Sequence, residues 1–336
     1  MSLIVQKFGG TSLADAASRE MLVRKVAAER AAGNQVVLVV SAMGRRGDPY
    51  ATDTLLDLLK AFPGGADALN ADLMASCGEV ISACVIAALL ASKGIAATPM
   101  TAYTAGFGVS GAFGDADPAA VNPARMRAAL ASGIVPVVTG FQGVTPDGDI
   151  ATLGRGGSDT SAVAIGAALG ADFVDIYKDV PGVAVADPRL VPEAPYLDFL
   201  DYDSMFRLAN HGARVLHDKS ALLAKAANLR MRVRPTFDEG EGTLIGPAAD
   251  AEGQAARPVP SFLGLATSPA EGGSVRMVAV FAEGTDPAAK IEAANALARE
   301  AGVLGQPCGD SHAAAFLCSK EKSAAFASAL VAALAG

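Results

Sequence analysis

Short apolar runs alternate with longer, alanine-rich ones over the first two thirds of the chain. Residues 3–5, 36–40, 134–138 and 173–177 are apolar and rich in Val and Ile, with Asp175 the one charged residue among them. That is the pattern of strands buried on both faces. Residues 14–32, 71–93, 123–132 and 158–169 lie between or beside these runs and have helical composition. Strands alternating with helices predict an α/β fold, a mainly parallel sheet between helix layers. In such sheets ligands bind beyond the carboxyl ends of the strands. Lys7, Ser41, Gln142 and Asp179 fall at or just past those ends, so they are expected to line one crevice.

The pattern changes near residue 246. Residues 247–260 are small, polar and proline-containing, as in a linker. Strands are predicted next at 262–267, 275–281 and 313–319, with helices at 287–301 and 322–334. This is a small α+β module of roughly 75 residues, near the lower limit for independent folding. The expected organisation is a catalytic domain at 1–246, a linker at 247–260 and a module at 261–336.

The 336-residue length suits about two domains. With 51% hydrophobic and 18% charged residues, a sizeable core is available. The net charge of −8 argues against nucleic acid or an anionic membrane as partner. An anionic ligand must then be held by local cations, which draws attention to Lys7, Arg155 and Arg189. No apolar stretch is expected to reach the ~18 residues of a membrane span. Charge and glycine from Lys7 onward interrupt any signal-peptide pattern, and a cytoplasmic location is expected. Cys77 and Cys84, seven apart in a helical run, read as small buried hydrophobes. His211, His217 and His312 have no zinc-site spacing.

Two glycine turns carry the candidate chemistry. The first, Gly9-Gly10-Thr11-Ser12, follows Lys7 and Phe8 at the end of the first strand. The second, Gly154-Arg155-Gly156-Gly157-Ser158-Asp159, opens the helix predicted at 158–169. Such turns present backbone N–H groups and a positive helix end to an anion. Arg155 adds a planar cationic fork suited to a carboxylate or phosphate. Either turn alone is also an ordinary helix N-cap. Two turns, each with a cation and hydroxyls, point to phosphoryl transfer. Glu79 stands in an apolar helical run, where an unpaired carboxylate is costly; it reads as a substrate-binding group or a structural ion-pair partner.

These runs resemble the aspartate kinases of the amino-acid kinase family. The resemblance covers Leu3 to about Gly246. Its motifs are Gln6-Lys7-Phe8-Gly9-Gly10-Thr11-Ser12, Val39-Val40-Ser41-Ala42-Met43-Gly44, Ser76-Cys77-Gly78-Glu79, Gly140-Phe141-Gln142-Gly143, Thr152 to Thr160, Asp187-Pro188-Arg189 and Arg232-Val233-Arg234. It implies an amino-acid kinase fold that transfers phosphate from ATP to the side-chain carboxylate of L-aspartate, with Mg²⁺ on the phosphates. That is the first step towards amino acids such as lysine and threonine. Carried over by position, Lys7 and Asp159 are catalytic, with Asp159 orienting the lysine. Ser41, Glu79, Arg155 and Ser158 bind substrate, Glu79 through the α-ammonium. Gly9, Gly10, Ser12, Lys178, Asp179, Arg189 and Arg214 belong to the nucleotide and its phosphates. No residue is assigned as a metal ligand.

The chain also departs from the family pattern. Lys178 stands where a Thr or Ser usually precedes the aspartate, Ala184 replaces a larger residue, and Arg214 replaces a lysine. The module at 261–336 resembles a single ACT domain, with Ala288 where glycine usually follows the proline. It is expected to join subunits of a homodimer or higher homo-oligomer. Two alternatives stay open at this point: a paralogue acting on another small carboxylate, and a catalytically weak amino-acid-binding homologue.

Overall fold

The computed structural model describes residues 1–213, 215–248, 261–282 and 286–335. Residues 249–260, most of the expected linker, lie outside the described residues, as does Arg214. The chain divides into two compact units. One comprises Met1–Pro181 and Leu223–Glu241; the other comprises Gly182–Leu222 and Gly242–Gly336.

In the first unit, β1 (Leu3–Phe8), β2 (Gln35–Val40), β3 (Ala97–Met100), β6 (Val135–Thr139), β9 (Phe173–Lys178) and the strand Arg230–Pro235 form a parallel sheet. The order runs from Arg230–Pro235 through β9, β1, β2 and β6 to β3. The four β-branched runs read from the sequence are β1, β2, β6 and β9, the centre of this sheet. Their side chains meet α1 (Ala16–Ala31) and α3 (Ala68–Ser92) in one core that includes Phe8, Leu22, Val26, Leu38, Ile86, Leu90 and Val137. Phe8 on β1 stacks on Tyr177 of β9, with ring centroids 4.5 Å apart. That contact helps fix the register that ends both strands side by side, Phe8 opposite Tyr177.

Helices α2 (Thr52–Leu59), α4 (Ala102–Ala105) and α5 (Ala124–Ala131) complete the connections around the sheet. A second small sheet holds β4 (Phe107–Ala112), β5 (Asp115–Val121), β7 (Gln142–Val144) and β8 (Ile150–Thr152). It delivers the chain from Thr152 into the glycine turn that opens α6 (Gly157–Leu169). The buried Asp72 of α3 anchors it. Its carboxylate accepts from Gly114 N at 2.8 Å, Thr152 N at 2.7 Å and Thr152 Oγ1 at 2.9 Å.

Helix α3 corrects two expectations. Its 25 residues are long and apolar enough, by length and composition, to cross a membrane. Half of the apolar window is buried, and its inner face carries the bonded carboxylates of Asp72 and Glu79, so it packs here as a core helix. Cys77 and Cys84 are exposed on its outer face rather than buried. With both faces apolar, the sequence pattern cannot tell which one meets the sheet.

The second unit contains a parallel pair, Phe199–Asp201 with Thr243–Gly246, and an antiparallel sheet ordered 262–269, 275–281, 313–318, 304–306. Helices Pro287–Ala301 and Lys320–Leu334 lie between and after the last strands. This ββαββα order is a circular permutation of a βαββαβ sandwich. The strand Leu304–Gln306 was not expected, and all three of its residues are exposed.

Replacing Asp72 by alanine leaves three donors without their acceptor, the two on Thr152 buried. The loss is expected to be about 2–4 kcal/mol of unfolding free energy. Urea denaturation of the variant beside the wild type measures it.

Candidate active site

The carboxyl ends of the central strands in the first unit open onto a pocket of about 600 Å³. Lys7, Gly9, Gly10, Ser41, Glu79, Arg155, Ser158, Asp159 and Lys178 all line it. At its centre the buried Asp159 carboxylate takes one ammonium on each oxygen. Lys7 Nζ lies 2.7 Å from Oδ1, and Lys178 Nζ lies 2.8 Å from Oδ2. Asp159 sits in the first turn of α6, where the helix dipole also favours an anion. Despite burial, its pKa is lowered to about 2, because Lys178 and Lys7 both favour the charged form. Burial lowers the Lys7 pKa; Asp159 opposes that, and the nearby Lys178 charge adds to it.

Glycine is required where the turns close on each other. A Cβ on Gly10 would lie 2.6 Å from Gly44 O and 2.7 Å from Ala42 O. One on Gly78 of α3 would lie 2.6 Å from the Ala42 methyl. Without those side chains α3 lies against the turn after β2, and Glu79 comes within reach of its backbone. Ala42 N–H donates to Glu79 Oε1 at 2.9 Å. Oε2 is buried and has no hydrogen-bond partner among the described residues. Burial pushes the Glu79 pKa up to about 8, against the Ala42 hydrogen bond and the Lys7 charge. A buried polar atom without a partner beside a pocket is a candidate ligand contact.

The remaining residues are distributed as follows. Ser41 Oγ donates to Ser158 Oγ at 3.0 Å across the pocket wall. Arg155 is exposed at the rim and has no ion-pair partner among the described residues. Ser12 is buried, its hydroxyl 2.7 Å from Thr236 Oγ1. Asp179 accepts from Arg45, a pocket-lining residue, at 2.9 Å. Gln142 is buried and donates to Ser76 O. Arg189 belongs to the second unit, where it pairs with Asp187 at 2.6 Å.

Sequence reasoning did not select Arg45, Arg46, Thr52, Asp53 and Phe141, which also line the pocket. Phe141 carried a signal, its place in the run Gly140-Phe141-Gln142-Gly143. It adopts φ 69°, the left-handed region, held by N–H donation to Ser161 Oγ at 3.0 Å and acceptance from Leu153 N at 2.8 Å. Strained backbone of this kind collects at functional sites.

A divalent ion finds no protein cage here. No three His, Cys, Asp or Glu side chains converge among the described residues, and both Asp159 oxygens face ammonium groups.

Residues 2–235 match the model of the amino acid kinase family. The chain belongs to that family. Among curated proteins this family member is 43% identical over 245 residues to aspartokinase 1 of Bacillus subtilis, and 42% identical to an aspartokinase of Thermus thermophilus. In each case 73% of the chain is covered. It spans 61% and 59% of the length of those two relatives. Among solved structures, aspartokinase III of E. coli in complex with aspartate and ADP has a TM-score of 0.81 at 19% identity, covering 99% of both chains. Aspartate kinase from Synechocystis gives 0.64 at 31% identity, covering 99% of this chain and 56% of that one. The E. coli match shows that this amino acid kinase shares its α/β fold.

Glu79 makes stability depend on pH. Its native pKa, about 8, lies above the ordinary 4.5. The neutral form is therefore favoured by folding, and that contribution is lost as pH rises from the ordinary value through about 8. The Glu79→Gln variant lacks this loss. Its stability relative to wild type should rise between about pH 5 and pH 9, read as thermal midpoints at both ends. A difference that stays flat with pH contradicts the assignment.

Proposed function

We propose that this chain is an ATP-dependent aspartate kinase, forming L-4-aspartyl phosphate and ADP. One observation carries the reading. A single pocket presents a lysine-clamped carboxylate for a phosphoryl group, an open buried carboxylate oxygen for an ammonium, and an unpaired guanidinium for a carboxylate. An amino acid with a side-chain carboxylate, placed beside a nucleoside triphosphate, complements all three. The names of the relatives support the same substrates.

The acceptor oxygen attacks the γ-phosphorus as the bond to the β–γ bridging oxygen breaks, and ADP leaves. A side-chain carboxylate with an ordinary pKa of about 4 is already ionised at neutral pH, so no general base is needed. That fits an Asp159 whose pKa is about 2 and whose oxygens are both occupied. Catalysis is then positioning and neutralisation of charge on the moving group. Lys7 meets that charge, and Gly9 and Gly10 give the phosphates a close backbone approach. Ser41 and Ser158 contact the amino acid, Glu79 takes its α-ammonium and Arg155 its α-carboxylate. Asp179 and Arg189 serve the nucleotide, with Arg214; Ser12 steadies the first turn through Thr236. Mg²⁺ arrives on the nucleotide phosphates.

We assign residues 1–246 to catalysis and 261–336 to an ACT-like module in a cytoplasmic enzyme serving lysine and threonine formation. The module's exposed edge, Leu304–Gln306, is a site for pairing between copies in a homodimer. Light scattering on the intact protein should give at least two subunits; a strict monomer removes this part of the reading.

The activity is tested by ATP turnover with a panel of small carboxylates, trapping acyl phosphate with hydroxylamine. Aspartate should give the hydroxamate, and failure with aspartate alone among the panel contradicts the proposal. Arg155→Lys keeps the charge and loses the fork. Its KM for aspartate should rise about tenfold or more, with the KM for ATP little changed. Equal rises would move Arg155 to the phosphates.

A further inference from the structure

We propose that Lys178 is a second catalytic cation, sharing the Asp159 carboxylate with Lys7 so that the pair presents one surplus positive charge to the phosphoryl group in flight. The proposal rests on the phosphoryl-transfer reading of the pocket, but not on which carboxylate is the acceptor.

The geometry of the three charges is the starting point. Lys7 and Asp159 alone would form a closed ion pair, with side chains 7% and 4% exposed. Such a pair has no net charge to offer a ligand. Lys178 completes the second oxygen at 2.8 Å, and its side chain is 20% exposed, on the pocket side. Two cations on one anion leave a surplus of one positive charge. A buried carboxylate at a helix N-terminus and already paired to one lysine has no structural need of a second. Bringing two ammonium groups together costs free energy, and the Lys178 charge is one cause of the lowered Lys7 pKa. An arrangement that crowds like charges beside an open pocket suits an anionic ligand.

The backbone brings the two lysines to that place. β1 and β9 are parallel neighbours, with Lys7 opposite Ile176 and Phe8 opposite Tyr177. Both therefore end at the same level, beside the first glycine turn. Gly9 lies beside the pair: a Cβ there would be in ordinary contact with Lys7 Nζ, at 3.6 Å. Asp159, fixed in the first turn of α6, bridges the strand ends from the other side. Each of its oxygens faces one of the two ammonium groups. The lysine pair thus brings positive charge to the place of the transferring group.

The test compares wild type, Lys178→Ala and Lys178→Arg by isothermal titration, with MgADP alone and with MgADP plus aluminium fluoride. ADP–aluminium fluoride mimics the planar group between donor and acceptor. In the alanine variant the tightening caused by fluoride should fall at least about tenfold, while ADP alone changes by less than about threefold. Turnover should fall about 10²–10³-fold with little change in the KM for ATP. Arginine should restore part of both, and it keeps the comparison readable if the alanine variant unfolds. A parallel loss of ADP affinity makes Lys178 a nucleotide anchor and overturns the proposal. So does unchanged fluoride tightening, the result of a purely structural counter-ion, or no tightening in the wild type. Fluoride tightening that depends on Lys178, with no aspartyl hydroxamate from the wild type, upholds this proposal and overturns the acceptor assignment alone.

Discussion

The buried carboxylate of Asp159 ties the site together. It reaches β1 through Lys7, β9 through Lys178 and α6 through its own backbone. Removing Asp159 would leave two ammonium groups without their shared anion, and breaking a buried pair in this way typically costs about 3–5 kcal/mol. The strand ends and the second glycine turn are thus held in one geometry by electrostatics as well as by the sheet. The same contacts place positive charge where a phosphate can reach it.

Glu79 depends on a different constraint, the absence of side chains. Gly78 lets α3 approach the turn after β2, and Gly10 lets the first glycine turn approach it from the other side. The result is a carboxylate with one oxygen satisfied by Ala42 N–H and one left open. The pocket therefore holds two carboxylates with opposed behaviour. Asp159 is ionised and paired with two lysines, with its pKa about 2; Glu79 is desolvated and has no such partner on Oε2, with its pKa about 8. Environments that push two like groups apart assign them different tasks.

Much of this was legible in the sequence. The central strands carry largely apolar runs rich in Val and Ile because both faces are buried, and the two glycine turns fall on the pocket. The less legible elements lack such signals. β3 contains Pro99 and lies at a sheet edge; β4 and β5 are broken by glycines and Pro118. The strand Arg230–Pro235 alternates arginine with apolar residues, and Arg232 and Arg234 bind the buried Asp175 from the next strand. Pairings of that range leave no local trace. The same holds for Ser12, whose partner Thr236 is 224 residues away, and for Arg45 and Arg46, which look like ordinary loop charges until the pocket is formed. The exposed Cys77 and Cys84 were misplaced because α3 is apolar on both faces.

The most direct measurement is a crystal structure with ADP, aluminium fluoride and L-aspartate. The account predicts the fluoride within hydrogen-bond reach of both Lys7 Nζ and Lys178 Nζ. It also predicts the aspartate side chain in line behind the fluoride and its ammonium on Glu79. A fluoride that touches neither lysine, or an aspartate bound away from Glu79, would contradict it.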